Sequence, residues 1–128
     1  MKRRSLLGMG PAAVALAALG LAGCTRPIYN VSQHPFMQPG TIANRTAQIQ
    51  QAAAGLGWET QVVRPGVIRA TLHLRTHVAV TEITYNEQVF SIIYVDSTNL
   101  DYDGTSIHKN YNGWIQNLER AISVQPTA

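Results

Sequence analysis

Between Val67 and Arg75 apolar and polar positions alternate. Ile68, Ala70, Leu72 and Leu74 fall on one side and Arg69, Thr71, His73 and Arg75 on the other, the period-two pattern of a half-buried strand. Further strands are predicted over Trp58–Arg64, over His77–Tyr85, which is rich in β-branched residues, and over Val89–Val95, with Pro65-Gly66 and Asn86-Glu87 as turns. The stretch V-F-S-I-I-Y-V from Val89 is apolar toward both sides. Helical spacing takes over on either flank. Thr41 is the expected N-cap of a helix running to about Leu56, with Ile42, Ile49, Ala53 and Leu56 on one side and Gly55 and Gly57 as its stop. Tyr111, Trp114, Ile115, Leu118 and Ile122 recur at helical spacing from about Ile107 to Ser123, with Thr105 or Ser106 as the expected cap. Short connections favour an antiparallel meander, and both helices can cover one face of it. The predicted fold class is therefore α+β: a single small domain over residues 41–128, in the order α-β-β-β-β-α, large enough to sustain one core without staples.

The chain ahead of this domain follows a different pattern. Lys2, Arg3 and Arg4 precede an uncharged run, rich in Ala, Leu and Gly, from Ser5 to Gly23, which is the layout of a cleaved secretory signal peptide over residues 1–23. The run approaches the ~20 apolar residues that a membrane-spanning helix needs, but Gly8, Gly10 and Pro11 weaken a long helix. The run ends in Leu21-Ala22-Gly23-Cys24, which resembles a bacterial lipobox. That resemblance implies a diacylglyceryl group on the Cys24 thiol, cleavage before Cys24, and acylation of the amine so freed. Arg3-Arg4-Ser5-Leu6-Leu7 also resembles a twin-arginine export signal, while a plain basic leader explains the same residues. From Thr25 to Gly40, three prolines and no apolar period predict an extended tether over residues 24–40. At ~3.1 Å per residue it would reach about 50 Å. Ile28, Tyr29, Phe36 and Met37 are apolar for a free linker, so a part of it near Pro35 to Met37 is expected to pack on the domain.

Charge changes its meaning once the leader is set aside. The whole chain carries 10 Lys and Arg against 7 Asp and Glu, but Lys2, Arg3 and Arg4 leave with the signal and every acid lies beyond Cys24. The mature chain is formally neutral, which excludes the basic surface that nucleic-acid binding needs. Cys24 is the only cysteine, so the mature protein has no disulfide and, once lipidated, no free thiol. Acyl chains contribute about 0.8 kcal/mol per buried methylene, and two or three chains on one residue anchor permanently. Thr25 in place of Asp after the cysteine resembles the sorting signal of outer-membrane lipoproteins.

The stretch I-H-K-N-Y-N-G-W-I-Q-N-L from Ile107, with the preceding V-F-S-I-I-Y-V-D-S-T-N-L, resembles the end of a family of short proteobacterial lipoproteins. Members share a lipobox, one small α+β domain and an I-H-x-x-Y-N-x-W-x-x-x-L ending. The resemblance implies fold and location, and no activity, cofactor or substrate. Gly113, in mid-helix, is expected to permit a close approach of helix to sheet beside Trp114.

Candidate chemistry is sparse. Asn99, Asp101, Asp103 and Gly104 occupy the first, third, fifth and sixth places of a calcium EF-loop pattern. Asn110 stands at the twelfth, where a bidentate Glu is needed, and Lys109 beside it opposes a cation. Asp96 offers one more carboxylate, and any affinity would be weak. A turn at Asp103-Gly104 with the cap at Thr105 or Ser106 explains the same residues. His73 and His77 would share a strand face only if no turn fell near Thr76, and with His108 they lack a zinc pattern. Ser106, His108 and Asp101 supply triad residue types without a motif that sets triad geometry. These readings predict a non-enzymatic protein with no metal and no cofactor apart from the covalent lipid. The remaining feature is a surface: Arg69, His73 and Arg75 form a cationic stripe opposite the core face of their strand, next to Val78, Val80 and either Val89/Ile93 or Phe90/Ile92. Either this face stays open as an association surface for a second copy or an envelope protein, or tether residues such as Phe36 cover it.

Overall fold

The structure is a computed structural model and describes residues 23–127. The expected signal peptide, with Leu21 and Ala22 of the lipobox, lies outside the described residues. Two short strands come first, β1 (Thr25–Pro27) and β2 (Val31–Pro35), followed by α1 (Ile42–Gly55). Four longer strands follow, β3 (Glu59–Arg64), β4 (Val67–Leu74), β5 (His77–Tyr85) and β6 (Val89–Thr98), then β7 (Ser106–His108) and α2 (Lys109–Val124). Strands β3 to β6 form the expected antiparallel meander, and β2 adds to its far edge, giving a five-stranded sheet of order β2-β6-β5-β4-β3. β1 and β7 make a separate two-stranded antiparallel sheet, with Thr25 opposite His108 and Pro27 opposite Ser106. The architecture is a single small α+β domain.

Both helices cover one face of the large sheet. Ile49, Ala52 and Ala53 of α1 and Tyr111, Ile115, Leu118 and Ile122 of α2 are buried against Ile68, Ala70, Leu72, Ala79, Ile83, Phe90 and Ile92. The strand alternation carries this arrangement, since each large inward side chain such as Ile68, Leu72, Ile83 or Phe90 contributes about 1.5–3 kcal/mol when fully buried. Leu74 departs from the expectation: it ends β4 and is exposed, because the β4–β5 turn follows at once. Thr41 caps α1 as expected. Its Oγ1 accepts from Asn44 N at 3.1 Å while Asn44 Oδ1 accepts from Thr41 N at 2.9 Å.

Three expectations are corrected. The segment read as an extended tether is integrated into the domain, because its backbone groups find strand partners at two open edges, β6 for β2 and β7 for β1. Side chains fasten it further: Asn112 Oδ1 accepts from Tyr29 N, Asn112 Nδ2 donates to Pro27 O, and Tyr29 Oη donates to Glu119 Oε1 at 2.7 Å. The last helix begins at Lys109, two residues after the expected start. Ser106 and Ile107 are held in β7, and the cap is His108, whose Nδ1 accepts from Asn110 N. Gly113 mediates no close approach, since a Cβ there would meet nothing within 4 Å.

One buried charge organises the far end of the domain. Arg45 of α1 is 1% exposed. Its Nε donates to Glu87 O at 3.0 Å, one terminal nitrogen donates to Gln48 Oε1 at 2.9 Å and the other to Gln38 O. Its guanidinium carbon lies 3.9 Å from the centroid of the Phe36 ring. Gln48 extends the network by donating to Ile122 O and Gln125 O at the end of α2. Gly40 belongs to the same cluster: a Cβ on it would sit 3.0 Å from the Arg45 guanidinium, so a larger residue there would press on this side chain.

Candidate functional site

Of the candidate residues in the loop from Asn99 to Asn110, Asn99 and Asp103 are committed to local structure, and Asp101 lies exposed between them. Asp103 Oδ1 accepts from Thr105 N at 2.9 Å, Ser106 N at 2.8 Å and Thr105 Oγ1 at 3.2 Å, which closes a turn through Gly104 at φ +104°. These backbone donors hold its carboxyl below the usual carboxylate range. Asn99 Nδ2 donates to Thr76 Oγ1 and Asn99 O accepts from His77 Nδ1, both at 2.7 Å, so Asn99 fastens this loop to the β4–β5 turn. Asn110 lies in the first turn of α2, beyond β7, with three strand residues separating it from the turn that Asp103 closes. Among the described residues, no group of three or more His, Cys, Asp or Glu gathers where it could hold a metal ion.

The histidines are likewise dispersed. The Arg75-Thr76 turn pairs Leu74 with His77 and His73 with Val78, which puts the two histidines on opposite faces of the sheet. His73 Nε2 is 3.7 Å from Glu59 Oε1 on the open face, whereas His77 lies beside Trp114 of α2, with ring centroids 6.3 Å apart. His108 and Ser106 sit on β7, where their backbones pair with Thr25 and Pro27.

The open sheet face is where the expected surface residues do assemble. Phe36 does not cover it: the ring packs against Phe90, with centroids 5.1 Å apart, on the helix side. Phe90 and Ile92 point into the core, so Ile93 is the outward member of the alternatives, paired across the strands with Glu82. Ile93 is 42% exposed, Val95 39%, and Val78 and Val80 are half-buried. Val95 owes its exposure to a bulge in β6, where Val80 pairs with Asp96 and Thr81 with Tyr94. The cationic stripe takes a different form from the expected one. Arg69 donates to Glu82 Oε2 at 3.3 Å and His73 faces Glu59, so acids of β5 and β3 offset both positions. Arg75 leaves the stripe altogether, because it forms the β4–β5 turn in the left-handed region at φ +57°. Counting back from that turn puts Glu82 opposite Arg69, so this pairing was legible once the turn was placed.

Cys24 is exposed and stands one residue before β1, with its carbonyl accepting from Lys109 N at 3.3 Å. The I-H-x-x-Y-N-x-W-x-x-x-L pattern now has a physical account. Ile107, Tyr111 and Leu118 are core, His108 caps α2, and Asn112 clamps the backbone at Pro27 and Tyr29. The pattern describes how α2 grips the segment that follows Cys24. Arg45 and Asn112 carry much of this organisation, and neither was singled out by periodicity, which reads apolar positions only. Comparison with family models, curated proteins and solved structures finds no match to this chain.

Proposed function

We propose that this chain is a non-enzymatic lipoprotein of the bacterial envelope, anchored through lipid on Cys24, whose open sheet face associates with protein: a second copy or an envelope partner. The anchor rests on the Leu21-Ala22-Gly23-Cys24 pattern behind a basic, then apolar leader, and on the resemblance to short proteobacterial lipoproteins; Thr25 after the cysteine favours the outer membrane. In this reading the Cys24 sulfur carries a diacylglyceryl thioether and the domain stands in the periplasm or at the cell surface. The association surface rests on one observation. The outer face of β4, β5 and β6 is left bare by both helices and by the Phe36 segment, and it presents Ile93 and Val95 beside the Arg69–Glu82 pair. An apolar centre edged by paired charges suits a protein partner, because burying the centre excludes water while the rim fixes register.

The weaker alternative is an ion or small-ligand module on the Asn99–Asn110 loop. It has less behind it, because Asp103 already accepts three hydrogen bonds and Asn110 lies beyond β7. The test is chemical cross-linking in intact cells with Ile93→Lys and, separately, Arg69→Glu. Loss of a cross-linked species in both variants, at unchanged protein level, is the expected result. An unchanged pattern overturns the association reading.

A further inference from the structure

The structure also bears on how such an anchor presents the domain, an inference that rests on the lipidation reading above. Residue 25 is already in a strand. Thr25 pairs with His108, Cys24 O accepts from Lys109 N, and Ile28 N donates to Thr105 O. A lipid on Cys24 is therefore separated from the folded domain by one peptide unit, about 3.8 Å between α-carbons, in place of a long tether. A continuous set of hydrogen bonds then defines the end of the domain that lies beside Cys24. His108 N donates to Leu100 O at 2.8 Å, the adjacent Asn99 bonds Thr76 and His77, and these belong to the β4–β5 turn that carries Arg75. The opposite end holds the β5–β6 turn at Asn86–Gln88, Arg45 and the C-terminus of α2, a helix that spans about 24 Å.

We infer that the end formed by Cys24, Arg26, Lys109 and the turn at Arg75 rests directly on the bilayer surface, fixing the domain's orientation so that the strands stand off the membrane and the open sheet face is presented sideways. The charge pattern at this end suits the occupant. Arg26, Arg75 and Lys109 are exposed, and none of them belongs to an ion pair among the described residues; one terminal nitrogen of Arg26 donates to Gly23 O and Thr25 O, which leaves the rest of its guanidinium, with Arg75 and Lys109, to meet lipid phosphates. Asp101 and Asp103 in the intervening loop are the opposing charges, and Asp103 is turned into its own backbone. Orientation also assigns the partner's position. A protein that meets the β4–β5–β6 face must approach along the membrane plane, as a neighbouring lipid-anchored copy or a membrane-bound protein does.

The test uses the lipidated full-length product. Lipidation consumes the sole native thiol, so a cysteine introduced at Asn110→Cys or at Gln88→Cys is a unique site for a fluorophore, at the near and far ends respectively. Each labelled protein is reconstituted into phosphatidylethanolamine–phosphatidylglycerol vesicles that carry a headgroup-attached quencher. The expected result is quenching several-fold stronger at position 110 than at position 88. Inserting a flexible Gly-Ser segment of about ten residues, with a root-mean-square span of ~17 Å, between Thr25 and Arg26 is expected to remove most of that difference. Equal quenching at both positions in protein whose mass shows the lipid overturns the orientation. A mass without lipid at Cys24 overturns the anchoring reading itself, so the two failures are told apart.

Discussion

The two faces of the five-stranded sheet share a backbone and differ in almost everything else. The helix side is a largely apolar surface that encloses a polar network, in which Arg45 and Gln48 hold carbonyls from three separate segments. The open side carries Arg69, His73, Glu59 and Glu82 in loose pairs across β3, β4 and β5, with Ile93 and Val95 uncovered beside them on β6. Removing anything from the first face opens a void or strands a polar group, whereas the second face is already solvated. In the proposed reading, fold and association are carried by opposite side chains of the same strands. Substitutions on one face are expected to register in melting and those on the other in partner capture.

The largest expected effect is on the covered face. Arg45→Ala leaves Glu87 O, Gln38 O and Gln48 Oε1 without a donor and empties the volume beneath Phe36, a loss of about 3–5 kcal/mol. At ~4–8 °C per kcal/mol the thermal midpoint should fall by more than ten degrees, read by circular dichroism on residues 25–128. A melt within a few degrees of the parent would remove this network from the account of the fold. Asn112→Ala comes next. It withdraws two hydrogen bonds from the Pro27–Tyr29 backbone and should cost about 1–2 kcal/mol, with hydrogen exchange at Tyr29 N accelerated far more than exchange in β4 or β5.

Gly113→Ala sharpens the comparison in the other direction. The added methyl meets open space, so the substitution should stabilise by about 0.5–1 kcal/mol through helix propensity alone. A destabilised variant would show that the helix packs more closely than the structure has it. Ile93→Lys should move stability by no more than about 0.5 kcal/mol while abolishing the cross-linked species, which makes it the cleanest separation of the two faces.

Asp103, off both faces, supplies a pH signature. Its folded carboxyl titrates below its unfolded value, so the stabilisation it gives the turn is present above the unfolded pKa and is lost as pH falls through the lower, folded one. Amide protection at Thr105 and Ser106 should therefore collapse on acidification below the ordinary carboxylate range. Asp103→Ala should show the unprotected behaviour at neutral pH, and protection that does not change with acid would remove the carboxylate from the turn.

How much of this could be read from the chain differs by element. Alternation located β4 and β5 almost to the residue, because one face of each is buried and a one-residue slip would invert every side chain. Thr41 was recognisable as a cap because capping is local chemistry. The segment from Thr25 to Pro35 was not recognisable as two strands. Pro27 and Pro35 are tolerable only at strand edges and ends, and the alternation is broken by a left-handed Gln33 at φ +51°, so the pairing comes from distant partners on β6 and β7. The shift of the α2 start has the same origin, since Ser106 and Ile107 are drawn into a strand by Thr25–Pro27.

What the sequence determined by itself is whatever depends on neighbours within a few positions: the period of the four meander strands and of the two helices, the turn at Asp103-Gly104 and the cap at Thr41. What only the tertiary structure decided is what depends on which distant backbone groups remain unpaired. That includes the strands contributed by the supposed tether, the buried place of Arg45, the offsetting of the cationic stripe by Glu59 and Glu82, and the end of the domain that stands beside Cys24. The physical reason is that a hydrogen-bond donor or a charge is indifferent to where along the chain its partner lies, and a linear pattern cannot record the partner until the fold has brought it within reach.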